Sequence, residues 1–225
     1  MQHTSNHLLD TIQSVITPIH RAGWPFIAAF AVGSFILGQI WPPLGWLGLL
    51  ATAWCAYFFR DPARVSPLRE KLLVSPADGV VQKIAMVKPP AELQLGDKEL
   101  MRISIFLNVL NVHVNRIPHE GTVSALHYVP GKFFNAALDK ASDENERQLL
   151  KITMPDGASY GLIQIAGLVA RRIVCDAKEG QSVKTGDRFG LIRFGSRVDV
   201  YLPPKSNPLV IVGQTAIGGE TILAD

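Results

Sequence analysis

The hydrophobic residues follow two patterns, one near the N-terminus and one in the rest of the chain. Residues 22–59 contain no Asp, Glu, Lys or Arg, whereas from Leu72 onward short runs alternate between apolar and polar positions. An uncharged stretch of this length is typical of a membrane segment, and alternation with a period of two is typical of β-strands. The pattern predicts an N-terminal α-helical membrane hairpin followed by a mainly β, antiparallel domain.

The apolar stretch is long enough for two arms, since one span needs about 20 apolar residues. Pro42 and Pro43 predict a turn between the arms, because consecutive prolines break helical hydrogen bonding. Both ends then emerge on one side of the cell membrane. Basic residues follow at Arg60, Arg64 and Arg69, and the positive-inside bias places the remaining chain in the cytoplasm. A re-entrant hairpin remains an alternative to a spanning one.

The expected organisation has three parts. The pattern predicts an amphipathic segment at residues 1–21, the membrane hairpin at residues 22–59 and the β domain at residues 60–225. A cleaved signal peptide is disfavoured, because its apolar core would have only about 7 to 15 residues. Residues 180–189 (GQSVKTGDRF) have the spacing of turns in lipoyl- and biotin-carrier domains. We therefore expect a barrel-like or sandwich-like β architecture.

Charge and cysteine content narrow the chemistry. The formal net charge is +3, and no nucleic-acid partner is expected. Cys55 lies in the apolar stretch and Cys175 lies far along the chain, so we expect no disulfide. Two isolated cysteines do not form a metal site.

Gly195 and Ser196 stand between two runs of alternating apolar residues and predict a tight turn at the tip of two strands. Glycine permits backbone angles that are closed to other residues, so the carbonyl of Gly195 can be turned toward the hydroxyl of Ser196. This geometry favours attack of the serine on its own chain. An ordinary hairpin turn is the alternative, because Gly-Ser is a common turn dipeptide.

A candidate base lies in a short polar pattern among β-branched residues. Asn111, His113 and Asn115 alternate along a predicted strand and would share one face. Asp78 is a candidate to hold His113 in one tautomer, provided that it is buried at the start of a strand. The alternatives are a packing histidine and an aspartate that caps a turn.

Three short motifs are spread over most of residues 60–225. They are residues 75–79 (SPADG), 111–118 (NVHVNRIP) and 194–199 (FGSRVD). Together they resemble the short, archaeal-type class of phosphatidylserine decarboxylases, in which the chain cuts itself before the serine. The resemblance implies cleavage between Gly195 and Ser196, giving a β subunit of residues 1–195 and an α subunit of residues 196–225.

The same resemblance implies the cofactor and the reaction. Ser196 would become a pyruvoyl group, without pyridoxal phosphate or metal, and would form a Schiff base with the amine of phosphatidylserine. Loss of CO2 then gives phosphatidylethanolamine, a step of phospholipid biosynthesis. His113 is the expected base and Asp78 the carboxylate behind it. The expected partners are phosphatidylserine in the membrane and the two fragments of the chain, and a homodimer is left open.

Two further features concern the substrate and the second catalytic step. An Asn-Glu-Arg triplet that ends at Arg147 is similar to one in the family, so Arg147, Lys132 and Asn111 are candidate ligands of the acidic head group. The longer bacterial class carries two histidines three residues apart in this region. His113 matches the first and Arg116 stands at the second, so His113 is a candidate for self-cleavage, decarboxylation or both.

Two other classes of protein remain as alternatives. A membrane-tethered carrier or binding module would fit the carrier-like turns, but Ser196 stands where the modifiable lysine of a carrier would be. A serine hydrolase would use Ser196, His113 and Asp78 as a triad, but the Gly-x-Ser-x-Gly elbow is missing.

Overall fold

The computed structural model describes residues 17–67, 69, 71–134, 144–167, 172–193 and 196–225. The chain divides into two compact units, Met1–Ala63 and Arg64–Asp225. Most of the amphipathic segment expected at residues 1–21 lies outside the described residues. Its last residue, Arg21, begins a short 3-10 helix over Arg21–Gly23.

The N-terminal unit contains two helices joined by one residue. Helix α1 spans Trp24–Ile40, and helix α2 spans Pro42–Phe58. Trp41 between them has an extended backbone. Pro42 occupies the first position of α2, where its missing N–H costs little because that donor has no partner within a helix. The prolines therefore begin the second helix instead of forming a loop.

Small residues allow α1 and α2 to approach closely. A Cβ added at Gly45 would lie 2.8 Å from the Cα of Gly38, and one at Gly48 would overlap the side chain of Ser34. The Ser34 hydroxyl donates to the carbonyl of Phe30 at 2.6 Å, so it is satisfied within its own helix. Interfaces of small residues are typical of helices that pack in lipid.

One helical stretch in the described part of the chain is long and apolar enough to cross a membrane. It spans Arg21–Ile40 and has 20 residues. Large apolar side chains on both helices are exposed, among them Phe35, Trp46 and Leu50. The chain therefore carries an apolar N-terminal helix suited to membrane association.

The second unit is built from β-strands, as the alternating pattern predicted. Thirteen strands lie within the described residues: β1 Leu73–Val74, β2 Gly79–Val87, β3 Leu100–Leu107, β4 Val114–Arg116, β5 Gly121–Val129, β6 Arg147–Thr153, β7 Ser159–Ala166, β8 Ile173–Cys175, β9 Ser182–Val183, β10 Arg188–Ile192, β11 Ser196–Tyr201, β12 Thr215–Ala216 and β13 Ile222–Ala224.

In the described part of this unit the strands form three antiparallel sheets. The large sheet has the order β12-β2-β3-β11-β7-β6-β5-β9, the small sheet has the order β4-β10-β8, and β1 pairs with β13. Strand β11 is hydrogen-bonded to β3 on one side and to β7 on the other. The expected mainly antiparallel β fold is confirmed.

The main hydrophobic core includes side chains of both the large and the small sheet. Val198 and Val200 of β11 belong to the same buried cluster as Phe189 and Ile192 of β10. Each fully buried side chain of this size contributes about 1.5–3 kcal/mol. We call the face of the large sheet that carries Val198 and Val200 its inner face. A second buried cluster on the outer face lies beneath the loop at residues 88–99.

Strands β10 and β11 do not pair with each other. Strand β10 ends at Ile192 in the small sheet, and β11 begins at Ser196 in the large sheet. The expected turn includes Gly195, which lies outside the described residues. Because the two strands on either side of it belong to different sheets, the alternative of an ordinary hairpin turn is wrong. Alternation shows that each run is a strand, but it does not show which partner the strand takes.

The buried side chain of Tyr160 should make the folded chain less stable at alkaline pH. Its hydroxyl donates to the carbonyl of His119 at 2.6 Å, and burial raises the pKa of Tyr160 far above its ordinary value. Above about pH 10 the unfolded chain loses this proton while the folded chain keeps it. The free energy of unfolding should therefore fall by up to about 1.4 kcal/mol per pH unit.

Thermal unfolding of the full chain and of Tyr160→Phe, followed from about pH 7 to pH 11, checks this expectation. The variant should be less stable near neutral pH, because the His119 carbonyl loses its donor, and its stability should decline less above pH 10. Equal alkaline slopes in the two proteins would contradict the assignment to Tyr160.

Candidate active site

One end of the large sheet gathers the residues that the sequence singled out. Ser196, at the start of β11, pairs with Leu107 at the end of β3 and with Ala166 at the end of β7. Strand β2 starts beside the end of β3, so Asp78 lies at the same end. Because neighbouring strands are about 4.8 Å apart, the backbones of Asp78 and Ser196 are separated by roughly 10 Å.

Ser196 is fully buried on the inner face of the large sheet. Its Oγ has no hydrogen-bond partner among the described residues. Gly195, the other half of the predicted cleavage site, lies outside the described residues. An unsatisfied buried hydroxyl costs roughly 1–3 kcal/mol. A reactive role for this oxygen would account for its retention in the core.

His113 lies directly before β4 and is fully buried. The N–H of Ile192 donates to its carbonyl at 3.3 Å, four positions before Ser196, so strand pairing brings the two residues into one region. The ring Nδ1 lies 3.0 Å from the carbonyl oxygen of Asn111. Since a carbonyl only accepts, Nδ1 carries the proton, and Nε2 is the basic nitrogen of the neutral ring.

Asp78 precedes β2, and both oxygens of its carboxylate accept hydrogen bonds from described residues. Oδ2 accepts from the guanidinium of Arg64 at 2.8 Å, and Oδ1 accepts from the N–H of Gly218 at 2.8 Å. The side chains of Arg64 and Asp78 are 17% and 16% exposed. The sequence identified Asp78 but not its partner Arg64, which it had assigned only to the charge bias beside the membrane.

Asn111 does not share a strand face with His113 and Asn115, so that expectation is wrong. Asn111 lies in a turn, where its Oδ1 accepts from the N–H of Asn108 at 2.8 Å, and β4 begins only at Val114. The backbone carbonyl of Asn111, not its side chain, contacts the His113 ring. The alternation misled because polar turn residues had the spacing of strand residues.

The other predicted head-group ligands lie toward the same end of the sheet. Arg147 begins β6 and is largely buried. It lies opposite Ile165, so its side chain is on the outer face of the sheet and not on the inner face that carries Ser196. Lys132 is 69% exposed, and its Nζ lies 3.0 Å from a carboxylate oxygen of Glu144. Arg116, which stands where the longer class has a histidine, donates to the carbonyl of Gly186 at 3.0 Å.

Asn145, the first residue of the Asn-Glu-Arg triplet, is a buried connector, a role that sequence analysis did not assign to it. Its Nδ2 donates to the carbonyls of Phe134 at 2.8 Å and Ala166 at 2.7 Å, and its Oδ1 accepts from the N–H of Phe134 at 2.9 Å. Ala166 is the cross-strand partner of Ser196. Asn145 therefore ties a loop to the strand end beside the serine. An asparagine before a strand usually indicates only a turn.

A buried ion cluster lies on the outer face of β11. Nε of Arg197 is 2.9 Å from Oδ1 of Asp199, and Nη1 of Arg102 is 3.8 Å from Oδ2 of Asp199. Burial, with Asp199 nearby, raises the pKa of the Tyr201 hydroxyl. The alternation predicted the strand, but gave no signal that its polar positions are buried as well.

Comparison with known proteins identifies the family. The family model described as phosphatidylserine decarboxylase matches residues 51–224. The chain belongs to the phosphatidylserine decarboxylase family. Among its curated relatives is the phosphatidylserine decarboxylase proenzyme of Paramagnetospirillum magneticum, 60% identical over 208 residues, with 92% of this chain and 87% of the relative covered. The proenzymes of Rickettsia rickettsii and Rickettsia felis are each 61% identical over 207 residues, with 92% and 90% covered.

The family resemblance drawn from the three motifs is thus confirmed. A cofactor derived from the chain itself fits relatives that are named proenzymes. The buried hydroxyl of Ser196, which has no hydrogen-bond partner in the part of the chain that the structure describes, fits such a group as well. In the described residues no set of three or more His, Cys, Asp and Glu side chains is grouped to hold a metal ion.

Asn145→Ala should reduce the free energy of unfolding by about 2–4 kcal/mol, because buried groups of Phe134 and Ala166 lose their partners. Thermal unfolding of the full chain measures this loss. Lys132→Ala is the control, since it removes an exposed ion pair worth at most about 1 kcal/mol. Similar losses in both variants would show that Asn145 is not the connector.

Proposed function

We propose that this chain is a self-cleaving decarboxylase that converts phosphatidylserine to phosphatidylethanolamine and CO2. The observation that carries the proposal is Ser196, a buried serine without a hydrogen-bond partner among the described residues. It begins a central strand in a chain that is 60% identical to a phosphatidylserine decarboxylase proenzyme. Cleavage falls between Gly195 and Ser196 and leaves fragments 1–195 and 196–225.

Self-cleavage begins with the hydroxyl of Ser196. Its Oγ adds to the carbonyl carbon of Gly195 while its proton passes to a base, and the peptide C–N bond breaks to leave an ester and a free amine. Removal of the Cα proton of residue 196 then expels Gly195 as a carboxylate and leaves dehydroalanine. Addition of water releases ammonia and leaves a pyruvoyl group at the new N-terminus.

His113 is the proposed base for this step. Its Nδ1 is engaged by the carbonyl of Asn111, so Nε2 is the nitrogen that accepts a proton. Asp78, held by Arg64 and Gly218, supplies negative charge at the same end of the sheet. Arg116 stands at the position of the second histidine of the longer class, but it has no imidazole and donates to the carbonyl of Gly186. This supports assigning both self-cleavage and decarboxylation to His113.

Decarboxylation uses the same end of the sheet. Once formed, the pyruvoyl group would supply an electron-accepting carbonyl for the substrate amine and for the electrons released with CO2. His113 supplies the proton that replaces the lost carboxylate. Lys132 and Arg147 are the proposed cationic ligands of the head group, and Asn111 a polar one. Burial of Ser196 and His113 keeps water away from the reacting carbon.

The apolar helices are proposed to hold the enzyme at the cell membrane where its lipid substrate lies. Basic residues at Arg21 and Arg60 flank the apolar stretch. The positive-inside bias then places Arg64–Asp225 on the cytoplasmic side.

Ser196→Ala should give an intact and inactive chain. Wild type should give a fragment of residues 196–225 whose N-terminal mass corresponds to pyruvoyl and which reacts with hydroxylamine. Intact-mass spectrometry and a decarboxylation assay with phosphatidylserine vesicles measure the two properties. The control is Ser182→Ala at an exposed serine, which should cleave normally. An active, uncut wild type that does not react with hydroxylamine would reject the proposal and favour a serine hydrolase.

His113→Ala should slow self-cleavage by roughly 10²- to 10⁴-fold, the usual contribution of a positioned acid or base. The rate is measured as fragment release from freshly purified proenzyme. His127→Ala, at an exposed histidine, is the matched control and should cleave at the wild-type rate. A His113 variant that cleaves normally but does not decarboxylate would restrict this residue to the second reaction.

A further inference from the structure

Two buried amide side chains meet on the inner face near Ser196. Nε2 of Gln164 donates to Oδ1 of Asn115 at 2.8 Å, and both residues are fully buried. The pair links β7 of the large sheet to β4 of the small sheet. Each amide uses one polar atom for this bond. The other two atoms, Nδ2 of Asn115 and Oε1 of Gln164, have no hydrogen-bond partner in the described part of the chain.

Strand register places this pair beside the proposed cleavage site. Gln164 lies opposite Val198, and Ala166 lies opposite Ser196, so Gln164 is one pair of inner-face positions away from the serine. The two positions are about 7 Å apart along the strand. The side chains of Gln164 and Asn115, joined end to end, are long enough to cover that distance. Asn115 follows His113 by two residues. Strand register thus places the pair near the serine, and chain order places it near the proposed base.

The backbone leaves room for this pair at a glycine. Gly190 is the β10 partner of Asn115, and a Cβ added there would lie 3.0 Å from Nε2 of Gln164 and overlap the carbonyl of Val174. A side chain at this position would displace the Gln164 amide. The absence of a side chain at Gly190 therefore leaves space for the Asn115 and Gln164 amides in the core.

For stability alone the pair is a poor choice. A buried polar atom without a partner is destabilising, whereas replacing both members of a buried pair by apolar groups of similar shape is often neutral or stabilising. Three such atoms, including Ser196 Oγ, lie near the bond that the proposed function breaks. An unused donor in a dry site is suited to an oxygen that becomes negative during reaction.

We infer that Asn115 is a catalytic residue of self-cleavage, whose Nδ2 donates a hydrogen bond to the carbonyl oxygen of Gly195 as that oxygen becomes negative. Gln164 is a positioning residue that holds the Asn115 amide in place through Oδ1. The inference rests on the proposed function, because it assigns a role within the attack of Ser196 on Gly195. No covalent bond to either amide is formed or broken.

The main test is the double variant Asn115→Leu with Gln164→Leu in the full chain. Self-cleavage should slow by roughly 10²- to 10³-fold, the usual effect of removing one such donor. The unfolding temperature of the uncut chain should stay the same or rise, because the unsatisfied polar atoms are gone. To compare uncut chains, stability is measured with Ser196→Ala added to both wild type and the double variant.

Gln148→Leu is the matched control. Gln148 lies opposite Gln164 on the neighbouring strand β6 and is also buried, but its Nε2 already donates to the carbonyl of His127 at 3.0 Å. This variant should lose stability, since a bonded backbone carbonyl is deprived of its donor, and should still cleave at the wild-type rate. The double variant is thus expected to slow cleavage without loss of stability, and Gln148→Leu to lose stability without slowing cleavage.

Asn115→Asp provides a second test that keeps the shape of the side chain. It retains an acceptor for Gln164 and lacks the donor, so cleavage should again slow by at least 10²-fold. Cleavage at the wild-type rate in either the double variant or Asn115→Asp overturns the inference. If the double variant does not fold, Asn115→Asp decides the question. A wild-type chain that never cleaves before Ser196 rejects the proposed function instead, and with it this role.

Discussion

The double pairing of β11 fixes the direction in which Ser196 points. Six consecutive residues of this strand are in register with β3 on one side and with β7 on the other. In a strand held on both edges, a residue cannot rotate from one face to the other without disrupting two ladders. Ser196 is therefore directed into the inner core, although it is the first residue of the strand. The chemistry of the site depends on this placement.

The same pairing would keep the two fragments together after cleavage. Fragment 196–225 contributes β11, β12 and β13, and each of these pairs with a strand that lies before residue 195. Val198, Val200 and Leu202 also lie in the main core. Cutting the peptide before Ser196 removes one connection between two sheets but none of these ladders. The new N-terminus can thus remain in the site where it was formed.

Much of the architecture follows from the sequence because its physical causes are local. The uncharged stretch at residues 22–59 and the alternating runs predicted two helices and an antiparallel β domain. What could not be predicted depends on pairing between distant strands. The partners of β10 and β11, the contact between Arg64 and Asp78 and the connector Asn145 all arise from contacts between residues well separated in the chain. Periodicity carries no information about such contacts.

The candidate site shows the same division. Ser196, His113 and Asp78 could be selected because their motifs are short and continuous, but the surroundings of each were hidden. The carbonyl of Asn111 contacts Nδ1 of the His113 ring, whereas sequence analysis had named only Asp78 as a group that orients this ring. Backbone carbonyls are present at every residue, so no side-chain pattern can indicate which of them will bind a histidine.

The charged residues that follow Ser196 disfavour the strand register in which its side chain would point outward. Arg197 and Asp199 form a buried ion pair on the outer face of β11, where a buried pair contributes little net stability. A shift of one residue in register would turn both charges into the apolar core and would turn Ser196 outward. That arrangement would carry the ion pair into the apolar core and take Asp199 away from Arg102 on the neighbouring strand β3, at a cost of several kcal/mol. The ion pair therefore acts mainly against the wrong register, and it leaves the inner face to the serine and its polar neighbours.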